Sequence, residues 1–338
     1  MMLITGGAGF IGSNFVKLMH EKNPETDLLI LDKLTYAGNY ENIKNIANYG
    51  NNKFYEMDIC DTSLLNKIFL EHSPEVVVNF AAESHVDRSI SSPGSFIDTN
   101  ILGTFNLLET SKNFYDTLAI EIKENFKFLH ISTDEVFGSL GPDDAKFTES
   151  NQYKPNSPYA ASKASSDHLC RAYWKTYQLP IMISNCSNNY GPHQYPEKLI
   201  PLCIKNALQE KKIPIYGDGL QIRDWLFVQD HCVAIKTIIA SGKAGETYNV
   251  GGNNEIQNID LVHSICQSLD IKSPRKNKKQ YQDLITFVED RKGHDQRYAI
   301  DSLKIKADLS WEPTLLFDDG LDKTIDWYLD NYDWGRDS

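Results

Sequence analysis

Met2-Leu-Ile-Thr5 runs straight into Gly6-Gly-Ala-Gly9-Phe-Ile-Gly12, and this stretch decides the fold. The first four residues predict a strand, and Gly12–Glu21 predicts an amphipathic helix. G-x-x-G-x-x-G therefore sits on the turn between them. Glycines at these spacings permit a tight turn, close approach of backbone to a pyrophosphate, and tight packing of helix on strand. The helix start then offers unpaired N–H groups to phosphate oxygens. A plain tight turn would also favour glycine. Asp32 separates the two readings, because it ends the next strand 20 residues beyond Gly12. A carboxylate there accepts hydrogen bonds from adenosine ribose hydroxyls and repels a 2′-phosphate, so NAD is expected rather than NADP. Lys33 beside it works slightly against that preference. Asp58 follows the third strand, where it reads equally as an adenine contact or as a cap for the Thr62 helix.

Outward from this turn, short apolar runs alternate with helical patterns. Strands are expected at Met2–Thr5, Leu28–Leu31, Phe54–Met57, Val76–Phe80, Phe126–Ile131 and Ile181–Asn185. Helices are expected at Gly12–Glu21, Thr62–Glu71, Phe96–Asn113 and Tyr159–Tyr177. That alternation predicts an α/β fold, a Rossmann-type doubly wound parallel sheet. Near-continuous apolar strands such as Val76-Val77-Val78 fit a sheet covered on both faces. After about Asn185 loops lengthen and Gly and Pro become more frequent, which predicts a smaller mixed α/β substrate domain. We place the NAD-binding domain at 1–186 with parts of 224–250, and the substrate-binding remainder at 187–338. Trp225–Val228 and Thr247–Val250 are strands that could return to the first domain.

Composition bounds the possibilities. The 338 residues are 41% hydrophobic and 24% charged, an ordinary globular mix with ample core. A net charge of −12 disfavours nucleic acid as a partner, so an anionic ligand would need a local basic site. The basic run Lys272–Lys279 contains Pro and Asn and reads as a solvated loop. Six scattered cysteines without a C-x-x-C pair make a disulfide framework or a metal site improbable. No leader-like segment precedes the first strand and no apolar run reaches membrane-span length. A cytoplasmic location is expected, with no membrane partner.

Tyr159-Ala-Ala-Ser-Lys163 is Y-x-x-x-K, and Ser157-Pro158 places it at a helix start. Tyr159 and Lys163 then share one helix face, where an ammonium would lower the phenol's pKa and make it a base for a hydroxyl proton. Alone this motif is common by chance; beyond a Gly-rich dinucleotide turn it is specific. Ser132-Thr133-Asp134-Glu135 follows a strand, at the carboxyl end where open α/β sheets bind ligands. Two adjacent acids read as a helix cap or solvated turn, or as an acid–base pair whose pKa values are pushed apart.

These residues together resemble the extended short-chain dehydrogenase/reductase family. Within it Asp32-Lys-Leu-Thr-Tyr-Ala-Gly38, Ala81-Ala-Glu-Ser-His-Val-Asp-Arg88, Thr133-Asp-Glu-Val-Phe-Gly138, Ser187-Asn-Asn-Tyr-Gly-Pro192, Pro196-Glu-Lys-Leu-Ile-Pro201, Arg223-Asp-Trp225 and Gly293-His-Asp295 resemble the dTDP-glucose 4,6-dehydratases. The resemblance implies oxidation at sugar C4 assisted by Tyr159, removal of the C5 proton by Glu135, and protonation of the leaving C6 hydroxyl by Asp134. Thr133 would bond the C4 oxygen, and NAD would be regenerated. It also implies an NAD site of Gly6, Gly9, Phe10, Ile11, Gly12, Asp32, Lys33, Leu34, Thr35, Asp58, Ile59, Phe80, Ala81, Ala82, Glu83, Ser84, Thr99, Tyr159, Lys163 and Asn189. Substrate contacts would come from Ser84, Thr133, Asn188, Lys198, Leu199, Pro214, Ile215, Tyr216, Arg223, Asn258, Asp290, Arg291, Lys292, Gly293 and His294. Arg223 and Arg291 suit a diphosphate, which guanidinium binds in paired fashion. A homodimer through Phe96–Asn113 and Tyr159–Tyr177 is implied as well. The chain departs from the family at Lys292 (usually Pro), at Phe137 (commonly Tyr) and in a short Ser139–Ser150 segment. Rival readings are another nucleotide-sugar dehydratase, a decarboxylase or an epimerase on the same scaffold, or a non-catalytic NAD-sensing protein. Asp134-Glu135 disfavours the epimerase.

Overall fold

The computed structural model describes residues 1–333. Six strands in chain order, β1 (Met2–Thr5), β2 (Leu28–Asp32), β3 (Lys53–Glu56), β4 (Val76–Asn79), β5 (Lys127–Thr133) and β6 (Ile181–Cys186), join Thr247–Val250 in one sheet. The spatial order is Thr247–Val250, β6, β5, β4, β1, β2, β3. Every pairing is parallel. The strand order reverses between β1 and β4, the switch point at which such sheets open a crevice.

Period-2 alternation within strands sends Ile4, Leu28 and Ile30 to one face and Leu3, Leu29 and Leu31 to the other. The first face packs against the helix Phe10–Lys22, through Phe15, Val16 and Met19, and against Val228–Ser241. The second packs against Thr62–His72, Thr104–Thr117 and Pro158–Tyr177, through Leu65, Phe69, Leu107, Leu108, Cys170 and Tyr173. A sheet clad on both sides explains why β1 and β2 are buried at every residue.

A separate core forms beyond β6, around Ile200, Ile204, Ile213, Trp225, Leu261, Ile265, Phe317 and Ile325. It lies against a three-stranded sheet (Glu255–Gln257, Ile222–Phe227, Asn188–Tyr190) and a parallel pair (Ile285–Val288, Ile213–Tyr216).

Several expectations shift. Thr247–Val250 joins the large sheet beside β6, but the strand containing Trp225 pairs within the small sheet instead. β5 runs on to Thr133, two residues past the expected end, because its ladder with β6 continues to Thr133–Cys186. The expected helix Phe96–Asn113 is broken: Ile97–Gly103 winds as a π-helix before an α-helix resumes at Thr104. Such insertions concentrate at functional sites. The basic run is mostly exposed, with Lys272 closing the helix Asn258–Lys272 and pairing with Asp326 at 2.6 Å.

Candidate active site

Gly6 sits in the left-handed region (φ 68°), and a methyl group there would lie 2.7 Å from the Ala81 nitrogen. A methyl group on Gly12 would lie 2.2 Å from the Gly6 carbonyl oxygen. Both glycines are thus required by backbone against backbone. The helix that follows is capped by Gly9, with no side-chain cap bond and no acidic residue in its first turn. Its leading N–H groups remain available to an anion. Asp32 underlies the turn, accepting from Ala8 N at 2.9 Å and Leu34 N at 2.8 Å. Lys33 turns away to pair with Asp58 at 2.6 Å, which neutralises the cation that would otherwise favour a 2′-phosphate. Asp58 also accepts from Cys60 N at 2.9 Å, and the cap of the Thr62 helix is Asp61, accepting from Leu64 N at 3.0 Å. The capping alternative for Asp58 is thereby excluded.

One continuous cleft runs from Asp32 and Asp58, past the glycines and Phe80–Ser84, to Thr133, Asp134, Glu135, Tyr159 and Lys163, and on to Asn188, Asn189 and Lys198. Phe10, Ile11, Thr35, Ile59 and Thr99 line it too; Leu34 stands just outside, in a left-handed conformation. The carboxyl ends of β1, β4, β5 and β6 all open here, which is how residues so distant in sequence meet. This geometry fits a dinucleotide: a glycine turn whose backbone leaves no room for a Cβ at Gly6 or Gly12, a carboxylate at one end, and a cluster of ionisable groups at the other.

Thr133 ends β5 and caps a turn of 3-10 helix, Asp134–Phe137, by accepting from Glu135 N at 3.3 Å. Its hydroxyl donates to Asp134 Oδ1 at 3.3 Å. Asp134 is buried, and its Oδ2 has no partner among the described residues. Burial, then the charges of Glu135 and Asp224, push the Asp134 carboxyl well above the usual range. Burial also raises Glu135, but Lys198, Arg223 and Arg291 pull it back. The two neighbours are thus driven apart: Asp134 is pushed further toward its protonated form, and Glu135 is the more easily ionised of the two.

Tyr159 and Lys163 rise from the helix Pro158–Tyr177, whose start is fixed by Ser157 accepting from Ala160 N at 3.1 Å and by Pro158 in the first turn. One expectation is corrected here. The lysine does not lower Tyr159 in the protein alone: burial and the Glu135 charge hold the phenol well above its ordinary value. Lys163 Nζ donates instead to the Ile131 carbonyl at 2.7 Å and lies 3.4 Å from His130 Nε2.

The residues expected at the diphosphate fall in two groups. Lys198 lines the cleft, donating to the Ser84 carbonyl at 2.7 Å, and Leu199 begins the helix behind it. Arg223 is buried, donates to the Ile222 and Asp295 carbonyls at 2.7 and 3.0 Å, and lies 4.3 Å from the Tyr298 ring. Arg291 stands over Tyr216 at 5.1 Å and grips Asp87 with two bonds of 2.6 and 2.9 Å. Tyr216 is exposed, whereas the Ile215 side chain is spent in the second core; Pro214 lies between Ile213 and Ile215 on the same strand. Asp290 bonds His294 at 2.7 Å across a turn made by Lys292 and left-handed Gly293 (φ 65°). Asn258 opens its helix with a buried Oδ1 unpaired among the described residues. Phe137 stacks on Phe147 at 5.2 Å within an apolar cluster, so that departure from the family faces packing and not the cleft.

Sequence reasoning missed Asp87, Glu197, His130 and Asp167. Glu197 accepts from Tyr36 at 3.1 Å and faces His85 at 3.5 Å. Asp87 and Glu197 lie inside two of the stretches that carry the resemblance, and Asp167 lies one further helical turn beyond Tyr159 and Lys163, so these three carried a signal.

Residues 3–324 match the family model described as GDP-mannose 4,6 dehydratase. The chain is 54% identical over 335 residues to a dTDP-glucose 4,6-dehydratase of Neisseria meningitidis serogroup B, covering 98% of this chain and 94% of that one. The crystal structure of the dTDP-glucose 4,6-dehydratase of Bacillus anthracis in complex with NAD superposes with a TM-score of 0.86 at 46% identity, covering 98% and 97% of the two chains. The enzyme of that name from Streptomyces venezuelae, with NAD and TYD bound, gives a TM-score of 0.89 at 42% identity, covering 98% of each chain. Full-length identity, the shared fold and the Asp134–Glu135 pair beside Tyr159 converge: the chain belongs to the GDP-mannose 4,6 dehydratase family and, within it, to the dTDP-glucose 4,6-dehydratases.

Proposed function

We propose that this chain is a hydro-lyase that converts dTDP-glucose to dTDP-4-dehydro-6-deoxyglucose with NAD as an internally regenerated cofactor, a step of 6-deoxysugar biosynthesis. The observation that carries the reading is the polarised carboxyl pair, Asp134 high and Glu135 lower, in the same cleft as the glycine cradle and Tyr159. An epimerase would need no second carboxyl beside the first.

The dinucleotide would rest on Gly6, Gly9 and Gly12, with Asp32 at its ribose, Asp58 and Ile59 at its adenine, Phe80–Ser84 and Thr99 along its length, and Asn189, Tyr159 and Lys163 at its reactive end. NAD, when bound, supplies a two-electron acceptor that the cycle restores, and a positive ring near the phenol. Tyr159 takes the C4 hydroxyl proton while Thr133 holds that oxygen. The resulting 4-ketone acidifies C5, and Glu135 takes its proton. Asp134 gives its proton to the C6 hydroxyl as water leaves; the hydride taken from C4 would come back to C6 while Glu135 returns a proton to C5. Ser84 and Asn188 would contact the sugar, with Lys198, Arg223 and Arg291 balancing the diphosphate. Arg291 would share or exchange Asp87 on binding.

We extend the proposal to the domain division, 1–186 with 247–250 for cofactor and the remainder for substrate; residues 334–338 of that remainder lie outside the described residues. A homodimer through the two expected helices is supported by exposed Ile97, Leu102, Phe105 and Tyr177. A cytoplasmic setting is supported by six unpaired cysteines, five of them buried. Among the described residues no helix is long and apolar enough to cross a membrane.

The test is incubation with dTDP-glucose in deuterated water. The expected product is the 4-keto-6-deoxy sugar nucleotide carrying solvent deuterium at C5, with no net consumption of NAD. Recovery of a C4 epimer, or no reaction with dTDP-glucose while another nucleotide sugar reacts, would defeat the assignment.

A further inference from the structure

A set of buried ionisable groups with no role in the cycle above lies behind Lys163. Tyr159, Lys163 and Asp167 follow at four-residue intervals on one helix, and all three are buried. Asp167 Oδ2 accepts from Ser132 at 2.8 Å, Tyr153 at 2.9 Å and Asn185 at 3.3 Å. Its Oδ1 faces His130 Nε2 at 3.5 Å. Burial raises this carboxyl above its ordinary value; the Lys163 charge and the three donors on one oxygen work the other way and favour the charged form.

The histidine's tautomer follows from the row of side chains beside it. Thr5, Asn79 and His130 lie in register across β1, β4 and β5. The Thr5 hydroxyl donates to Asn79 Oδ1 at 2.6 Å, which turns the Asn79 amide nitrogen toward His130 Nδ1 at 3.2 Å. Nδ1 therefore accepts and Nε2 carries the proton, 3.5 Å from Asp167 Oδ1 but making no hydrogen bond to it. Burial, and then the Lys163 charge, keep that imidazole neutral. The other groups facing the lysine are Tyr159, Cys170 and Cys186. Burial pushes the Cys170 thiol well up and the Cys186 thiol to about 12, so neither supplies a negative charge near neutrality.

We propose that Asp167 is a positioning residue for the reaction: the buried negative group, one helical turn beyond Lys163, that keeps its ammonium charged, with Ser132, Tyr153 and Asn185 fixing the carboxylate. It touches neither substrate nor cofactor and acts through the lysine alone. Burial lowers Lys163, and Asp167 is the first group that raises it again. The inference rests on the dehydratase reading for its catalytic consequence, but not for its electrostatics.

The test titrates isotope-labelled lysine side chains by NMR in the full chain, with the Lys163 signal assigned from its loss in Lys163→Met. Asp167→Asn keeps the shape and removes the charge. It is expected to lower the Lys163 midpoint by about one pH unit or more, a factor of ten in the charged fraction. In turnover kcat should fall roughly tenfold and its basic limb should move to lower pH, while KM stays within about twofold. Tyr153→Phe removes one donor to the carboxylate and should move the midpoint the same way by less; it decides alone should Asp167→Asn not fold. A folded Asp167→Asn whose Lys163 titrates as in the parent overturns the proposal, as does Tyr153→Phe with an unmoved midpoint where only that variant folds. Failure of the parent enzyme to act on dTDP-glucose would defeat the functional reading instead, and the titration would still decide this one.

Discussion

Glu135→Gln is the sharpest perturbation of the proposed chemistry. The substitution keeps side-chain shape and removes the base. Loss of a positioned general base costs about 10²–10⁴ in rate. At about 1.4 kcal/mol per decade that is roughly 3–5.5 kcal/mol on the barrier. The structure argues for the upper half of the range, because no neighbour stands ready to substitute. Asp134 stays pushed toward its protonated form by burial and the Asp224 charge, both of which survive the substitution, and Glu197 is engaged by Tyr36 and His85. Folding should be little affected, since the amide replaces a carboxylate that burial already disfavours. The assay follows two signals in deuterated water: formation of the 4-keto-6-deoxy product, and deuterium entering C5 of recovered sugar. Glu135→Gln should lose both. Asp134→Asn should slow water loss while C5 exchange persists, because it removes a proton donor and no charge. The acid limb of the parent's rate profile should lie above the ordinary glutamate range, with rate lost as pH falls and Glu135 protonates. A Glu135→Gln enzyme that eliminates water within about tenfold of the parent refutes the base assignment. Exchange that survives Glu135→Gln and dies with Asp134→Asn reverses the two roles.

Gly12→Ala would force the 2.2 Å contact with the Gly6 carbonyl and should abolish measurable NAD binding by calorimetry, while Gly94→Ala, with open space around it, should bind as the parent does. Asp32→Asn presents an NH2 where two backbone N–H groups now find a carboxylate; one loses its acceptor, so unfolding should come about 1–3 kcal/mol earlier and the preference for NAD over NADP should shrink. Burial depresses His231 to about 3. Its contribution is present above the unfolded value near about 6.5 and is lost as pH falls toward the folded one. Between about pH 7 and about pH 5 that is roughly 2 kcal/mol of stability. His231→Gln should flatten denaturant midpoints over that window by a comparable amount, and an unchanged slope would show that His231 is not buried neutral.

What the chain discloses in one dimension depends on whether the interaction is local. The glycine turn and Y-x-x-x-K were legible because each is a short geometric requirement: Gly12 collides with the backbone of Gly6 within the same turn, and Tyr159 and Lys163 need only a helix to align them. The end of β5 was not, because the ladder to β6 extends it from Ile131 to Thr133, and a ladder is set by the partner strand. That extension matters to the chemistry. It draws Thr133 into the sheet, so that the acids Asp134 and Glu135 sit on a rigid strand end and not on a mobile loop. The strand containing Trp225 illustrates the same limit: its apolar pattern suits either sheet, and the pairing with Asn188–Tyr190 and Glu255–Gln257 decides the matter. The π-helical turn at Ile97–Gly103 left no local signature either, yet it carries Asn100, which braces Glu83 N at 2.8 Å and Ser162 at 2.8 Å across the cleft wall. Function here resides in a few motif residues, but their precision is delegated to side chains such as Asn79, Asn100, His130 and Asp167. Each of these is an ordinary polar residue until the sheet closes over it. Replacing one should leave every motif intact and still blunt the reaction, which is why the lysine titration proposed above is more informative than a motif substitution.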